Sequence, residues 1–139
     1  MVSDLLAKAK EARLRAHAPY SGFIVGAAVE SVDGEVAVGA NMENACYRLG
    51  VCAEQSALTA AQQAFGLENV ARVLVIGGPA DESQPSVGPV TPCGGCRQAI
   101  AEAAQLSGRN IEILCCDREG EETLTTSIAE LLPSAFSLD

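Results

Sequence analysis

The run from Phe23 to Ser31 is almost entirely apolar, and it constrains the chain more than any other feature. A strand with one wet face alternates polar and apolar residues; a strand apolar on both sides must be covered on both. This segment is therefore read as a central strand with packing above and below it. A second run, 70–77, is rich in β-branched residues and reads as another strand. Neither run is long enough to cross a bilayer. Aromatic residues make up only 4% of the chain and Trp is absent, so Ala, Val, Leu and Ile must build the core.

The remaining segments supply the partners such a sheet needs. Residues 3–17 read as an amphipathic helix, with Leu5, Leu6, Ala9 and Ala16 near helical spacing and Lys8, Glu11 and Arg15 outward. The sequence Ala18-Pro19-Tyr20-Ser21-Gly22 stops it. Asp33-Gly34 turns the central strand into a second one at 35–41, where Val36, Val38 and Ala40 share a face. A helix is expected from Cys52 to Phe65, an exposed loop over 78–92, and a further helix over 93–106. Strands at 111–116 and 123–125 flank a turn at 117–120, and 128–132 reads as a last helical turn before Pro133. The order α-β-β-α-β-α-β-β-α predicts an α/β fold: one mixed five-stranded sheet with helices on both faces, in a single domain spanning 1–139. The unit from 70 to 116 should be parallel and the last strand pair an antiparallel hairpin.

Charge narrows the functions open to such a domain. Nine basic residues against eighteen acidic give a net charge of −9. A polynucleotide partner needs a basic footprint, and so does an anionic membrane surface; neither is expected. A small neutral or cationic substrate fits. The N-terminal residues alternate charged and apolar side chains and lack the apolar run of a secretory signal, which points to the cytoplasm. In that reducing compartment the six cysteines read as metal ligands, catalytic groups or core residues rather than as disulfides.

Three of them stand where predicted helices begin: Cys52 at one, Cys93 and Cys96 at the other. Partial positive charge at a helix N-terminus favours the thiolate, the form that binds zinc. A pair two residues apart plus a distant third gives three protein ligands, which leaves one zinc position for water. Glu54, in the first turn after Cys52, would reach that water without binding the metal and carry its proton. Each motif alone is weak, since Glu is welcome in any first turn and Cys93-Gly94-Gly95-Cys96 alone suits a redox dithiol equally well. A dithiol, however, gives no reason for Cys52-Ala53-Glu54 at a second helix start, and it expects a strand rather than a Pro-rich loop before the motif. Together the two motifs are a strong signal.

Cys52-Ala53-Glu54 followed by Pro92-Cys93-Gly94-Gly95-Cys96-Arg97-Gln98 resembles the zinc-dependent cytidine deaminases in their three-cysteine form. Ala18-Pro19-Tyr20-Ser21, Phe23, Val25-Gly26-Ala27-Ala28, the segment from Asn41 to Tyr47, and Leu131-Leu132-Pro133-Ser134-Ala135-Phe136 are similar to the small free-nucleoside members. The resemblance thus covers nearly the whole chain. It implies a three-layer α/β/α cytidine-deaminase-like fold and one zinc per subunit, held by Cys52, Cys93 and Cys96. It implies that Glu54 moves protons from water to the ring nitrogen and to the departing ammonia. By the same resemblance Asn41 and Glu43 hydrogen-bond the ribose, Phe23 stacks on the pyrimidine, and the Ala53 backbone helps fix the base. Members of this size are homotetramers with shared active sites, so Ala45, Tyr47 and Phe136 would touch substrate bound to a neighbouring subunit. The implied reaction is hydrolytic deamination of cytidine and 2′-deoxycytidine to the uracil nucleosides, in pyrimidine salvage.

Close relatives carry Arg after the catalytic Glu, whereas this chain has Gln55. Three thiolates on zinc leave a charge of −1, which two helix N-termini of roughly +0.5 each largely offset. Gln55 is therefore expected to give only a neutral hydrogen bond to a ligand sulfur. Cys46, Cys115 and Cys116 are expected as buried small hydrophobes, the last two on opposite sheet faces. His17 should end a solvated helix, and Glu119, Glu121 and Glu122 should form a solvated turn. Two rival functions remain open at this stage. One is deamination of another nucleoside-like aminoheterocycle; the other is a redox dithiol or structural-zinc protein with no hydrolytic activity.

Overall fold

The computed structural model describes residues 2–138. Its elements run α1 (Val2–Arg13), β1 (Phe23–Ser31), β2 (Val36–Ala40), α2 (Ala53–Ala64), β3 (Val70–Pro79), α3 (Gly94–Ser107), β4 (Glu112–Cys116), β5 (Thr123–Ser127) and α4 (Ile128–Leu131). The five strands form one sheet in the order β2-β1-β3-β4-β5. β1 is antiparallel to both β2 and β3, β3 and β4 are parallel, and β4 and β5 form the antiparallel hairpin. The mixed sheet is the one the sequence predicts.

The apolar run of β1 is covered on both sides, as expected. Ala27 and Val29 belong to the core shared with α2 and α3, and Ala28 to the core under α1. β3 and β4 divide in the same way: Val73, Val75, Ile113 and Cys115 face α2 and α3, while Leu74, Ile76, Leu114 and Cys116 face α1. This is the period-2 geometry of a strand inside a three-layer sandwich. α4 adds Ile128 to the α2/α3 side. Two glycines set how closely the helices approach. A Cβ at Gly26 would collide with the Ala9 carbonyl of α1, and one at Gly39 with the Ala57 amide of α2.

The structure moves several boundaries. α1 ends at Arg13 rather than at 17, and the Leu14, Arg15 and Ala16 amides instead bond three residues back in tight turns. The released segment then pairs with the end of β2: the His17 amide donates to the Asn41 carbonyl at 3.0 Å, and the Glu43 amide to the His17 carbonyl at 2.7 Å. His17 is exposed as expected, but it sits on this bridge and not on a helix. β3 continues to Pro79, which shortens the loop, and β5 continues to Ser127. Asp117 anchors the acidic turn by accepting from the Glu121 and Glu122 amides, with Glu119, Glu121 and Glu122 in solvent. Cys46 is exposed, contrary to the expectation of a buried residue, because it lies in the loop between β2 and α2.

Candidate active site

α2 and α3 lie on the same sheet face, and their first turns meet. Cys52 is the residue before α2 and Cys93 the residue before α3, each with extended backbone and neither capping its helix through its side chain. Cys96 falls in the first turn of α3, fully buried. The three sulfurs lie within 4.8 Å of one another, with Cys93 and Cys96 Sγ atoms 3.5 Å apart. Among the described residues this is the one cluster able to hold a metal, and no fourth protein ligand joins it.

The donor set fits zinc. Three soft sulfurs would supply three of the four ligands zinc usually takes, the number found in catalytic rather than closed structural sites. Helix starts alone would favour thiolates throughout, but burial pushes the Cys52 and Cys96 thiols up. Only Cys93 is held below its ordinary value, chiefly by the backbone amide of Cys96. A divalent ion bound by the three sulfurs would favour their thiolate forms against this burial. Gln55 contributes the expected neutral hydrogen bond, its Nε2 donating to Cys96 Sγ at 3.6 Å.

A cavity of about 190 Å³ opens beside the sulfurs, lined by Asn41, Ala53 and Glu54 together with Val25, Val90 and Thr91. Glu54 is 5% exposed, and burial raises its carboxyl above the ordinary range. It stands next to the sulfur cluster without joining it. Asn41 is fixed at both ends of its amide, Oδ1 accepting from the Val25 amide at 2.8 Å and Nδ2 donating to the Phe23 carbonyl at 2.9 Å.

The family model for the cytidine and deoxycytidylate deaminase zinc-binding region matches residues 2–107. The chain belongs to this deaminase family. A cytidine deaminase of Sporosarcina psychrophila is 40% identical over 136 residues, covering 98% of this chain and 91% of that protein. One of Mycobacterium tuberculosis is 35% identical, over 97% of this chain and 89% of its own. The crystal structure of cytidine deaminase from Burkholderia pseudomallei superimposes with a TM-score of 0.83 at 39% identity, over 98% of this chain and 99% of that one. The deaminase fold is thus the three-layer fold described above, and zinc is the metal that both the family and the sulfur cluster indicate.

Within this deaminase the other residues singled out in the sequence are spread more widely. Glu43 and Tyr47 line a second cavity of about 350 Å³ with Tyr20, Ser21, Asn44 and Gly50. The Glu43 carboxylate accepts from the Tyr20 and Ser21 amides and from Ser21 Oγ, and the hydroxyl above all holds its pKa low. Phe23, half-buried at the start of β1, lines neither cavity with its ring. Ala45 is exposed, Tyr47 is 86% exposed, and Phe136 is 67% exposed beyond α4. The Phe136 carbonyl accepts from Gln98 and Gln105 on α3, which holds the C-terminal segment against that helix.

The long loop from Gly78 to Pro92, read from sequence as either shaping access to the zinc or only covering surface, reaches the site at its end. Its middle is exposed, but Val90 and Thr91 form cavity wall, Pro92 is fully buried, and the Val90 amide donates to the Cys116 carbonyl. The available signal was position, since these residues directly precede a ligand cysteine. Arg97 secures the same strip by donating to the Pro92 carbonyl at 2.7 Å and to the Leu131 carbonyl at 3.0 Å.

Proposed function

We propose that this chain catalyses the zinc-dependent hydrolytic deamination of cytidine and 2′-deoxycytidine to uridine and 2′-deoxyuridine, a step of pyrimidine salvage. The observation that carries this reading is the buried Glu54 carboxyl beside a cluster of three sulfurs that no fourth protein ligand joins among the described residues.

Cys52, Cys93 and Cys96 would hold the metal. When bound, zinc supplies the Lewis acidity that makes water a nucleophile near neutral pH. Glu54 handles the protons: it takes one from the attacking water and delivers it to the ring nitrogen beside the amidine carbon, then moves the remaining hydroxyl proton to the amine as the C–N bond breaks. Water adds, ammonia leaves, and the uracil carbonyl remains. Burial raises the proton affinity of Glu54, which suits a group that must both accept and return a proton. Asn41 keeps one N–H and one lone pair after its two bonds to β1, enough to meet a ribose hydroxyl. Glu43, held ionised by its donors, offers a second acceptor.

Phe23 stacks on the pyrimidine in this reading, and the Ala53 backbone fixes the base. Ala45, Tyr47 and Phe136 reach a neighbouring subunit's substrate within a homotetramer, which accounts for two aromatic rings left mostly in solvent. The net charge of −9 suits a neutral nucleoside and disfavours a polynucleotide. No described helix is long and apolar enough to cross a membrane. A reducing cytoplasm would keep the ligand thiols available to zinc.

The test is the loss of cytidine absorbance with the zinc-loaded protein, run beside Glu54→Ala. Turnover that falls by about 10²–10⁴-fold or more in a variant that keeps its zinc supports Glu54 as the proton carrier. Zinc-loaded protein inert on both nucleosides would indicate another aminoheterocycle. A protein that binds no zinc and turns over nothing would restore the redox-dithiol reading.

A further inference from the structure

Arg13 is the buried cation that this chemistry does not use. It closes α1 and is 7% exposed, yet among the described residues no carboxylate lies within ion-pair distance of it. Three backbone carbonyls hold its guanidinium instead. Nε donates to Ile24 at 2.9 Å, and one terminal nitrogen donates to Gly78 and Pro79 at 3.0 Å each. Withdrawing a cation from water without a counter-charge is costly, and an apolar residue would close the same α1–sheet joint more cheaply. The placement of the three carbonyls shows what the charge achieves.

Ile24 and Gly78 are opposite each other in the β1–β3 ladder, as are Phe23 and Pro79, so Arg13 ties together the open end of that ladder. This is the end from which the site is built. The two groups flanking the Ile24 carbonyl in the chain, the Phe23 carbonyl and the Val25 amide, are those that the Asn41 side chain engages. The start of β1 is therefore clamped from two directions, by Arg13 through Ile24 and by Asn41 through its neighbours. Any shift of Ile24 on loss of the clamp would tilt the Phe23 and Val25 groups and carry the Asn41 amide with them.

We infer that Arg13 is a positioning residue for nucleoside binding, setting through the start of β1 the orientation in which Asn41 meets the sugar. The inference rests on the proposed role of Asn41 toward ribose. Arg13 touches neither the sulfurs nor Glu54, so its effect falls on sugar recognition and leaves the metal in place.

The experiment compares kcat/KM for cytidine with that for 2′,3′-dideoxycytidine, read as a substrate or as a competing inhibitor. It uses zinc-loaded wild type, Arg13→Met, Arg13→Lys, Asn41→Ala and the Arg13→Met/Asn41→Ala double variant. Arg13→Met keeps the aliphatic stem, while Arg13→Lys keeps the charge but lacks the fork. Arg13→Met is expected to retain one zinc per chain and to lose about tenfold in preference for the hydroxylated sugar, through KM rather than kcat. Adding it to Asn41→Ala should cost no further preference. A wild-type preference in zinc-loaded Arg13→Met, or losses that add in full in the double variant, would overturn the inference. If Asn41→Ala alone leaves the preference intact, the ribose reading itself fails, and the Arg13 inference falls with it through that separate arm. Should Arg13→Met fail to fold, Arg13→Lys decides by the same ratio.

Discussion

The face of the sheet under α1 and the face under α2 and α3 are built from the same strands, residue by residue in alternation. Under α1 lie Leu5, Ala9, Ala28, Leu74, Ile76, Leu114 and Cys116, an apolar layer closed at one end by the Arg13 clamp. Under α2 and α3 the core is equally apolar, yet the first turns of those helices bring Cys52, Glu54, Cys93 and Cys96 together. Both faces fix geometry through packing; the α1 face adds one buried guanidinium held by backbone carbonyls, whereas the other adds the sulfurs and a buried carboxyl around a cavity. The reactive groups sit at helix starts, where backbone amides are unpaired and loops bring distant segments together. Cys115 and Cys116 show the contrast from within the strands. Adjacent in sequence, they point to opposite cores, and burial raises both thiols, Cys115 to about 11.

If the chemistry belongs to one face, Cys96→Ser should have the largest effect. Metal analysis should show zinc lost and the absorbance assay no turnover, while far-UV circular dichroism should retain the α/β signature. Turnover with full zinc in that variant would remove Cys96 from the ligand set. The opposite face is probed by Leu74→Ala, which deletes fully buried side-chain volume beneath α1. Denaturant titration should show about 2–5 kcal/mol of lost stability, with zinc stoichiometry and KM unchanged. A large change in KM would mean that the two faces are not separable.

The smallest effect concerns Cys115, whose ordinary pKa of 9.0 is raised to about 11 in the folded protein. Between those values the unfolded chain gives up this proton while the folded chain keeps it. Its contribution to stability is therefore present below about pH 9 and lost as pH rises toward 11. Thermal melts across that window should fall less steeply in Cys115→Ala than in the wild type. In the zinc-loaded protein at neutral pH, with Cys93 protected by the metal, a thiol reagent should leave Cys115 and Cys116 unmodified and label the exposed Cys46 first.

Much of this arrangement was legible in the sequence because it depends on local chemistry. The apolar run of β1, the β-branched run of β3 and the Asp33-Gly34 turn specified strands, and therefore a sheet needing cover on both faces. The pairing of Cys52-Ala53-Glu54 with Pro92-Cys93-Gly94-Gly95-Cys96 led to zinc and to a proton carrier, because metal and acid–base chemistry require particular side chains at particular helix positions. Even the neutral hydrogen bond of Gln55 was expected, from the resemblance to relatives that carry Arg at that place. The deaminase family, on this evidence, is written in the primary structure.

The tertiary structure decided what depends on distant segments meeting. No local pattern announces that α1 stops at Arg13, because the segment after it pairs through His17 with the distant Asn41 and Glu43. Hydropathy made 78–92 an exposed loop, yet its last residues wall the cavity because the chain must turn inward to deliver Cys93. Cys46 was expected to be buried from its residue type and is exposed by its place in a loop. The sequence by itself determined the sheet, the cysteine and glutamate motifs and the acidic balance, since each is a property of composition or short-range spacing. Only the fold decided which backbone groups the buried Arg13 would bind and how the Asn41 amide would be held, because hydrogen bonds across the sheet form only once the strands are in register.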